Sequence, residues 1–179
     1  PLRIVSSFLT NVKSSSTVAG GSTITQQLVK LTCFSTASSQ RTLSRKAQEA
    51  WLAMKVEREY SKDQILEFYI NKVYMNYGTY GMGTAANYYY GKSLKQLDLA
   101  QLALLAGMPN APVAYNPYLY PKKAKYRRDL VLKAMYDNKK ITKKQYLAAK
   151  AEDVQKGLKK HTTSTESKLR KVDDAYIKE

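Results

Sequence analysis

Apolar residues recur at three- and four-residue intervals along most of the chain, which is the spacing of amphipathic α-helices. No run alternates strictly between apolar and polar residues, so the pattern predicts an all-α fold. Serine or threonine followed three residues later by glutamine marks several helix starts, because each side chain can bond the other's backbone N–H group. The predicted helices span about residues 1–12, 22–31, 43–60, 61–73, 97–106, 121–136 and 143–154.

The helix at 97–106 is apolar on nearly all sides, which predicts a position in the centre of the core. In the helix at 43–60 the predicted core-facing stripe consists of Leu43, Ala47, Ala50, Trp51 and Met54. The predicted start of the 97–106 helix is a Ser93–Gln96 capping box.

Small polar residues separate the helices. We expect a loop at 13–21, a mobile connection at 32–40, and a turn at 76–83 whose three glycines permit positive φ. Residues 158–179 lack helical periodicity until near their end, so the sequence predicts a domain over 1–157 and a linker over 158–179.

Composition and charge narrow the function. The net charge of +16 favours a polyanionic partner: nucleic acid, anionic lipid or a phosphorylated substrate. The single cysteine, Cys33, excludes an internal disulfide and is expected to be partly buried; the single histidine, His161, excludes a multi-histidine metal site and is expected in a solvated loop. No apolar stretch approaches the roughly 20 residues of a membrane span, and no leader is recognisable.

Four polar segments carry the candidate chemistry. The glycine pair of residues 20–27 (GGSTITQQ) precedes a helix start that suits a phosphate or sugar oxygen, although a capped helix with a glycine hinge explains it about as often. Arg45 and Glu49 lie one helical turn apart, an arrangement that ordinarily means a surface ion pair worth less than about 1 kcal/mol. Residues 62–71 predict an amphipathic helix and residues 126–132 a basic helix face, and neither indicates more by itself.

Together and in this order, GGSTITQQ, RKxxE, KxxILExYxN and RRxxVL resemble the motifs of the glycosyltransferase family 51 domain. This is the peptidoglycan transglycosylase module of bifunctional class A penicillin-binding proteins and of monofunctional transglycosylases. The resemblance covers about residues 1–157, and its TQQ motif is very specific. It implies a lysozyme-like helical domain with a large lobe and a small, mobile, membrane-facing lobe, for which 32–40 is the candidate region.

The resemblance also implies a reaction. The family polymerises lipid II into glycan strands, with inversion at the sugar carbon and release of undecaprenyl pyrophosphate, outside the bacterial cytoplasmic membrane. The implied partners are lipid II, the growing glycan chain, an anionic membrane surface, moenomycin-type inhibitors and a transpeptidase domain absent from this chain; nucleic acid is not expected. The parent would be anchored by an N-terminal transmembrane helix outside these residues. No organic cofactor is expected, whereas a divalent cation (Mg²⁺ or Mn²⁺) is an option.

By motif position, the resemblance assigns nine residues to the site and a structural role to two more. Glu49 would be the second acidic residue of the site, supporting the pyrophosphate directly or through a divalent cation. Cationic side chains would neutralise phosphate charge, for which arginine forks are well shaped. Tyr69 and Glu67 would hold the fold. The expected substrate-binding residues are Ser22, Gln26, Gln27, Lys30, Arg41, Arg45, Lys46 and Asn71.

The family takes its general base from a glutamate in an EDxxFxxHxG motif upstream of GGSTITQQ, and this sequence has no such motif. Residues 1–19 contain neither Asp nor Glu. We therefore expect a truncated domain that is inactive by itself, and the absence of SxxK and KTG predicts no penicillin acylation. Two alternatives stay open: a lysozyme-like glycan hydrolase that uses the same acidic residue, and a basic polyanion-binding module.

Overall fold

The structure is a computed structural model that describes residues 22–34 and 42–161. Over these residues it contains seven α-helices, two short 3-10 turns and no strand, apart from an isolated bridge between Tyr74 and Tyr80. This confirms the all-α prediction, and none of the described helices has the length and apolar character needed to cross a bilayer. The helices are α1 (Ile24–Cys33), α2 (Leu43–Glu59), α3 (Lys62–Lys72), α4 (Met82–Tyr90), α5 (Leu99–Gly107), α6 (Pro121–Asp137) and α7 (Lys143–Ala151).

Local capping bonds begin three of the helices where the sequence predicts. Thr23 N–H donates to Gln26 Oε1 at 3.1 Å, and Gln26 N–H donates to Thr23 Oγ1 at 3.2 Å. The same reciprocal pair begins α3 at Ser61 and α7 at Thr142. Helix α1 continues to Cys33, so the first two residues of the expected connection at 32–40 are helical. The rest of that connection, from residue 35, lies outside the described residues, as do the predicted helix at 1–12 and the loop at 13–21.

The predicted start of the helix at 97–106 is wrong. The Ser93–Gln96 box begins only a 3-10 turn, Leu94–Gln96, and α5 starts after Asp98. The Asp98 carboxylate accepts a hydrogen bond from Gln101 N–H at 2.9 Å. The sequence contains two capping boxes five residues apart, Ser93–Gln96 and Asp98–Gln101. The second box begins the helix because it directly precedes the continuous apolar run.

The glycine-rich turn contains a helix that the apolar pattern does not predict. Gly78 (φ 66°) and Gly81 (φ 83°) have positive φ, as expected, but Gly83 lies inside α4. Asn76 (φ 76°) and Tyr77 (φ 50°) are also left-handed, although neither is glycine. One glycine immediately precedes α4 and another immediately follows it. The helix consists mainly of small residues and tyrosines, so its sequence has no distinct polar face that would indicate an amphipathic helix.

The chain divides into two compact units between Lys72 and Val73. In the first unit α1 packs against both α2 and α3. The predicted stripe of α2 is wrong: Leu43 is 71% exposed and Trp51 and Met54 are each 54% exposed. The buried residues of α2 are instead Glu49 and Ala53. They lie one helical turn apart on the face that α2 presents to the neighbouring helices.

In the second unit α5 supplies much of the core, as predicted. Its residues Ala100 and Ala103 pack with Leu132 of α6 and Ala149 of α7. The RRxxVL segment is not a solvated basic face, because Arg128 is only 1% exposed. Its guanidinium donates to the carbonyl oxygens of Lys150 and Glu152 at 3.0 and 2.9 Å, where α7 ends.

Residues 152–161 run along the second unit without forming a helix. Lys159 N–H donates to the Tyr89 carbonyl at 2.8 Å, and Tyr118 Oη donates to the Lys159 carbonyl at 2.7 Å. The His161 ring stacks on Tyr88 with centroids 4.2 Å apart, so the solvated position expected for His161 is wrong. The remainder of the predicted linker, from residue 162, lies outside the described residues.

Candidate active site

The RKxxE motif forms a buried carboxylate held by two cations. Glu49 is 3% exposed; its Oε1 lies 3.3 Å from Arg45 Nε and its Oε2 lies 2.6 Å from Lys46 Nζ. Arg45 is 14% exposed and lies over the Phe34 ring, whereas Lys46 is 54% exposed. The ordinary interpretation of this motif as a surface ion pair is therefore wrong, since the carboxylate is removed from water. The three groups together carry one net positive charge at the surface of α2.

The TQQ motif occupies the first turns of α1, and its two glutamines have different tasks. Gln26 is buried, and its Oε1 is committed to the cap at Thr23. Gln27 is exposed, and its Oε1 accepts a hydrogen bond from Tyr69 Oη of α3 at 3.2 Å. Burial raises the pKa of Tyr69, so its phenol stays a neutral donor. With its carbonyl occupied, the Gln27 amide has N–H groups left to donate, which suits an anionic oxygen.

Thr25 ties this motif to α2. Its Oγ1 donates to Glu57 Oε1 at 2.7 Å, across 32 residues of sequence. Glu57 and Phe34 are absent from the predicted site, and no local pattern could have revealed either, because their partners are set by helix packing.

The other residues that the sequence assigned to the site differ in their exposure to solvent, and one of them lies outside the described residues. Ser22 and Lys30 are exposed beside or on α1, so a ligand could reach both. Asn71 is exposed near the end of α3 and bonds no other described residue. Arg41 lies outside the described residues. Cys33 is exposed rather than partly buried, and Glu67 is exposed on α3, whereas Tyr69 is buried as expected.

The described carboxylates do not fit a metal centre. No three His, Cys, Asp or Glu side chains among residues 22–34 and 42–161 converge on one point. Both Glu49 oxygens are already bonded to cationic side chains, which would repel a divalent ion.

Comparisons with known proteins agree with the motifs. A family model described as "Transglycosylase" matches residues 1–136. Penicillin-binding protein 1A of Streptococcus pneumoniae R6 is 51% identical over 178 residues, which cover 99% of this chain and 24% of that protein. Penicillin-binding protein 1A of Streptococcus oralis is 56% identical over 145 residues, 81% of this chain and 23% of that protein.

A solved structure supports the same assignment. The crystal structure of penicillin-binding protein 1A from Haemophilus influenzae matches with a TM-score of 0.53 and 40% identity, over 56% of this chain and 15% of that chain. The present chain thus spans about a quarter or less of the length of these relatives. With the family model covering most of the chain and the TQQ helix packed against the RKxxE helix, the chain belongs to the transglycosylase family.

Proposed function

We propose that this chain is part of a peptidoglycan glycosyltransferase whose intact form polymerises lipid II during bacterial cell-wall synthesis. In that reaction a sugar hydroxyl attacks the anomeric carbon of the growing chain, the configuration inverts, and undecaprenyl pyrophosphate leaves. The observation that carries the proposal is the buried Glu49 between Arg45 and Lys46, in a chain that belongs to the transglycosylase family.

The charges of this group suit a diphosphate leaving group. Negative charge grows on the diphosphate as the glycosidic bond breaks, and fixed cations stabilise it more in the transition state than in the ground state. Glu49 holds the Lys46 ammonium at 2.6 Å, so that this cation is oriented before substrate binds. Since both Glu49 oxygens already bond cations, we assign Glu49 a positioning role rather than that of a general base.

Gln27 would add a neutral donor to this site. Its carbonyl is held by Tyr69, and its amide N–H groups suit a phosphate or sugar oxygen. Ser22, Lys30, Arg41 and Asn71 remain predicted ligands of the substrate by motif position. A complex with a moenomycin-type phosphoglycolipid tests these assignments, since it would identify which side chains meet the phosphate.

A variant of the intact parent tests the central assignment. We expect Glu49→Gln to lower kcat for lipid II polymerisation by about 100-fold or more, because loss of one preorganised electrostatic group has that effect in other enzymes. Glu59→Gln, at an exposed glutamate at the end of the same helix, is the matched control and should retain wild-type activity. Wild-type rates in Glu49→Gln would contradict the proposal.

The hydrolase alternative predicts a different product. Release of soluble fragments from purified sacculi, without polymer from fluorescent lipid II, would favour a lysozyme-like hydrolase. We further propose that these 179 residues alone do not polymerise lipid II, because they contain no EDxxFxxHxG glutamate to act as base. Clear polymerisation by this chain would contradict that statement.

The setting of the parent is also a proposal. We place its active site at the outer face of the cytoplasmic membrane, beside an anionic surface and in one chain with a transpeptidase domain. Labelling of intact cells with a membrane-impermeant reagent at an introduced cysteine tests on which side of the membrane the active site lies.

A loss of activity in EDTA that Mg²⁺ or Mn²⁺ restores would place a metal site elsewhere in the parent, because the described carboxylates do not fit one.

A further inference from the structure

The turn between α6 and α7, together with the first two residues of α7, carries four lysines within six residues: Lys139, Lys140, Lys143 and Lys144. We call residues 139–144 the lysine turn. All four side chains are exposed, and none forms an ion pair or hydrogen bond with another described residue. The turn therefore concentrates four positive charges with no internal neutralisation in the described part of the chain.

Acidic residues elsewhere in the second unit cannot offset this charge, because each has another partner. Among residues 73–161 there are 16 Lys and Arg but only five Asp and Glu. Three of the acids pair with basic residues outside the turn, and the other two accept bonds from backbone N–H groups. In order, these acids are Asp129, Asp137, Glu152, Asp98 and Asp153.

The lysine turn is held in place by packing and hydrogen bonds. Ile141, between the two lysine pairs, packs against the core of the second unit. The rings of Tyr136 and Tyr146 stack across the two helices, with centroids 5.3 Å apart and planes at 14°. Lys140 N–H donates to the Met135 carbonyl at 2.8 Å. The charges are thus presented on a fixed scaffold, and little chain entropy remains to be lost when a ligand binds there.

This arrangement is unfavourable for the isolated protein. Lysines within about 10 Å of each other repel at ordinary ionic strength. Lys143 and Lys144 stand at the start of α7, whose first turn has no acidic residue and whose positive end favours anions. Lys139 adopts φ 57°, a conformation that glycine or asparagine takes at lower cost. A bound polyanion would relieve the electrostatic part of these costs.

We propose that the lysine turn is a docking surface for a soluble, linear, phosphate-bearing polymer. Four separate ammonium groups call for several negative charges, and lysine accepts phosphate as a point charge without the fixed geometry that arginine forks impose. A bilayer fits less well, because membrane-surface segments also bury large apolar side chains. Within the lysine turn the one large apolar residue, Ile141, packs into the core, and Leu147, one helical turn after Lys143, is a single exposed apolar side chain rather than an apolar face. This inference does not depend on glycosyl transfer.

Titration of the full chain with long-chain inorganic polyphosphate tests the proposal. The variant Lys139→Gln/Lys140→Gln/Lys143→Gln/Lys144→Gln removes the turn's charge. A control with the same net charge replaces four exposed lysines elsewhere in the second unit with glutamine: Lys92, Lys95, Lys122 and Lys160.

Each phosphate contact with a single-stranded polyanion contributes about 0.7 to the slope of log K against log salt. The turn variant should therefore lose about 3 from that slope, and it should bind at least about tenfold more weakly than the control. Polyphosphate should raise the Tm of the wild type and the control but not that of the turn variant. Without ligand, the turn variant should be at least as stable as the wild type, so weak binding could not be attributed to unfolding.

Three results would overturn the proposal. Equal losses of affinity in the turn variant and the control would mean that only net charge matters. Binding to phosphatidylglycerol vesicles without binding to polyphosphate would assign the surface to a membrane instead. No measurable polyphosphate binding by the wild type would mean that the lysine turn does not bind phosphate polymers.

Discussion

Replacing the buried Arg128 should destabilise the second unit more than any surface charge substitution. Arg128 is 1% exposed, and its guanidinium joins α6 to the end of α7. Nη1 and Nη2 donate to the carbonyl oxygens of Glu152 and Lys150, while Nε and Nη2 both donate to Asp129 Oδ1 at 3.1 and 3.0 Å. Arg128→Met keeps much of the aliphatic stem and removes all four bonds.

The contacts set the magnitude. The Glu152 carbonyl would lose its charged donor, and a buried group left without a partner costs about 1–3 kcal/mol. The Lys150 carbonyl would lose a hydrogen bond to a charged group, worth about 1.5–3 kcal/mol, but it would keep Lys125 Nζ at 3.2 Å. The Asp129 carboxylate keeps Lys125 Nζ at 2.7 Å, so it is not left alone. We therefore expect a loss of about 3–4 kcal/mol, at the lower end of the range for breaking a buried charged network. For a chain of this size, that loss corresponds to a Tm lower by about 10 °C.

Urea unfolding followed by far-ultraviolet circular dichroism measures the change in the free energy of unfolding. Lys133→Met is the matched control, because Lys133 lies in the same helix and pairs with Asp137 where both side chains are largely exposed. The control should unfold close to the wild-type midpoint. Hydrogen exchange should show faster exchange at residues 150–156 in Arg128→Met but not in the control.

A loss of less than about 1 kcal/mol in Arg128→Met would refute this reasoning, since it would place the bonds within the range of ordinary surface pairs. Equal destabilisation by the control would refute it as well. Arg128→Lys separates charge from geometry: it retains the cation but cannot reach three acceptors with a planar fork, so we expect only partial recovery.

Three further perturbations test other parts of the structure. Tyr118→Phe removes the hydroxyl that donates to the Lys159 carbonyl, so trypsin should cleave after Lys159 several-fold faster, as mass spectrometry would detect; an unchanged rate would contradict this. Burial, with a smaller effect from a nearby carboxylate, raises the pKa of Tyr90. Because this phenol would ionise near pH 10 in the unfolded chain, stability should fall as pH rises above about 10, and a flat profile of unfolding free energy from pH 8 to 11 would oppose the assignment. Thr25→Val removes the 2.7 Å bond to Glu57 and should cost about 1 kcal/mol in urea unfolding; no loss would mean that water replaces the bond.

Short-range features of this fold could be predicted because their causes lie within a few residues. The Thr23–Gln26 and Thr142–Gln145 boxes close bonds over three positions, so neighbouring residues alone place these two helix starts, whereas the Ser93–Gln96 box begins only a 3-10 turn. Helix α5 is apolar on most sides and could only be buried. The Arg45–Glu49 spacing likewise predicted a contact, since residues four apart on a helix meet.

Burial of charged and aromatic residues could not be predicted in the same way. The sequence RRxxVL is compatible with a solvated basic helix face. Arg128 is nevertheless buried, because carbonyl groups 22 and 24 residues away in the sequence lie beside its guanidinium. Trp51 and Leu43 share a helix face by spacing, yet they are exposed because α2 presents Glu49 and Ala53 to its neighbours.

The sequence by itself thus determined the helical class, the family motifs and the starts of α1, α3 and α7, because a capping box closes its hydrogen bonds within one helical turn. Only the tertiary structure decided that Tyr69 holds Gln27, that Glu49 is removed from water, and that His161 packs on Tyr88. Those contacts join residues as much as 73 positions apart. The local sequence of each helix or loop is compatible with many packing arrangements, and the contacts form only in the one that the folded protein adopts.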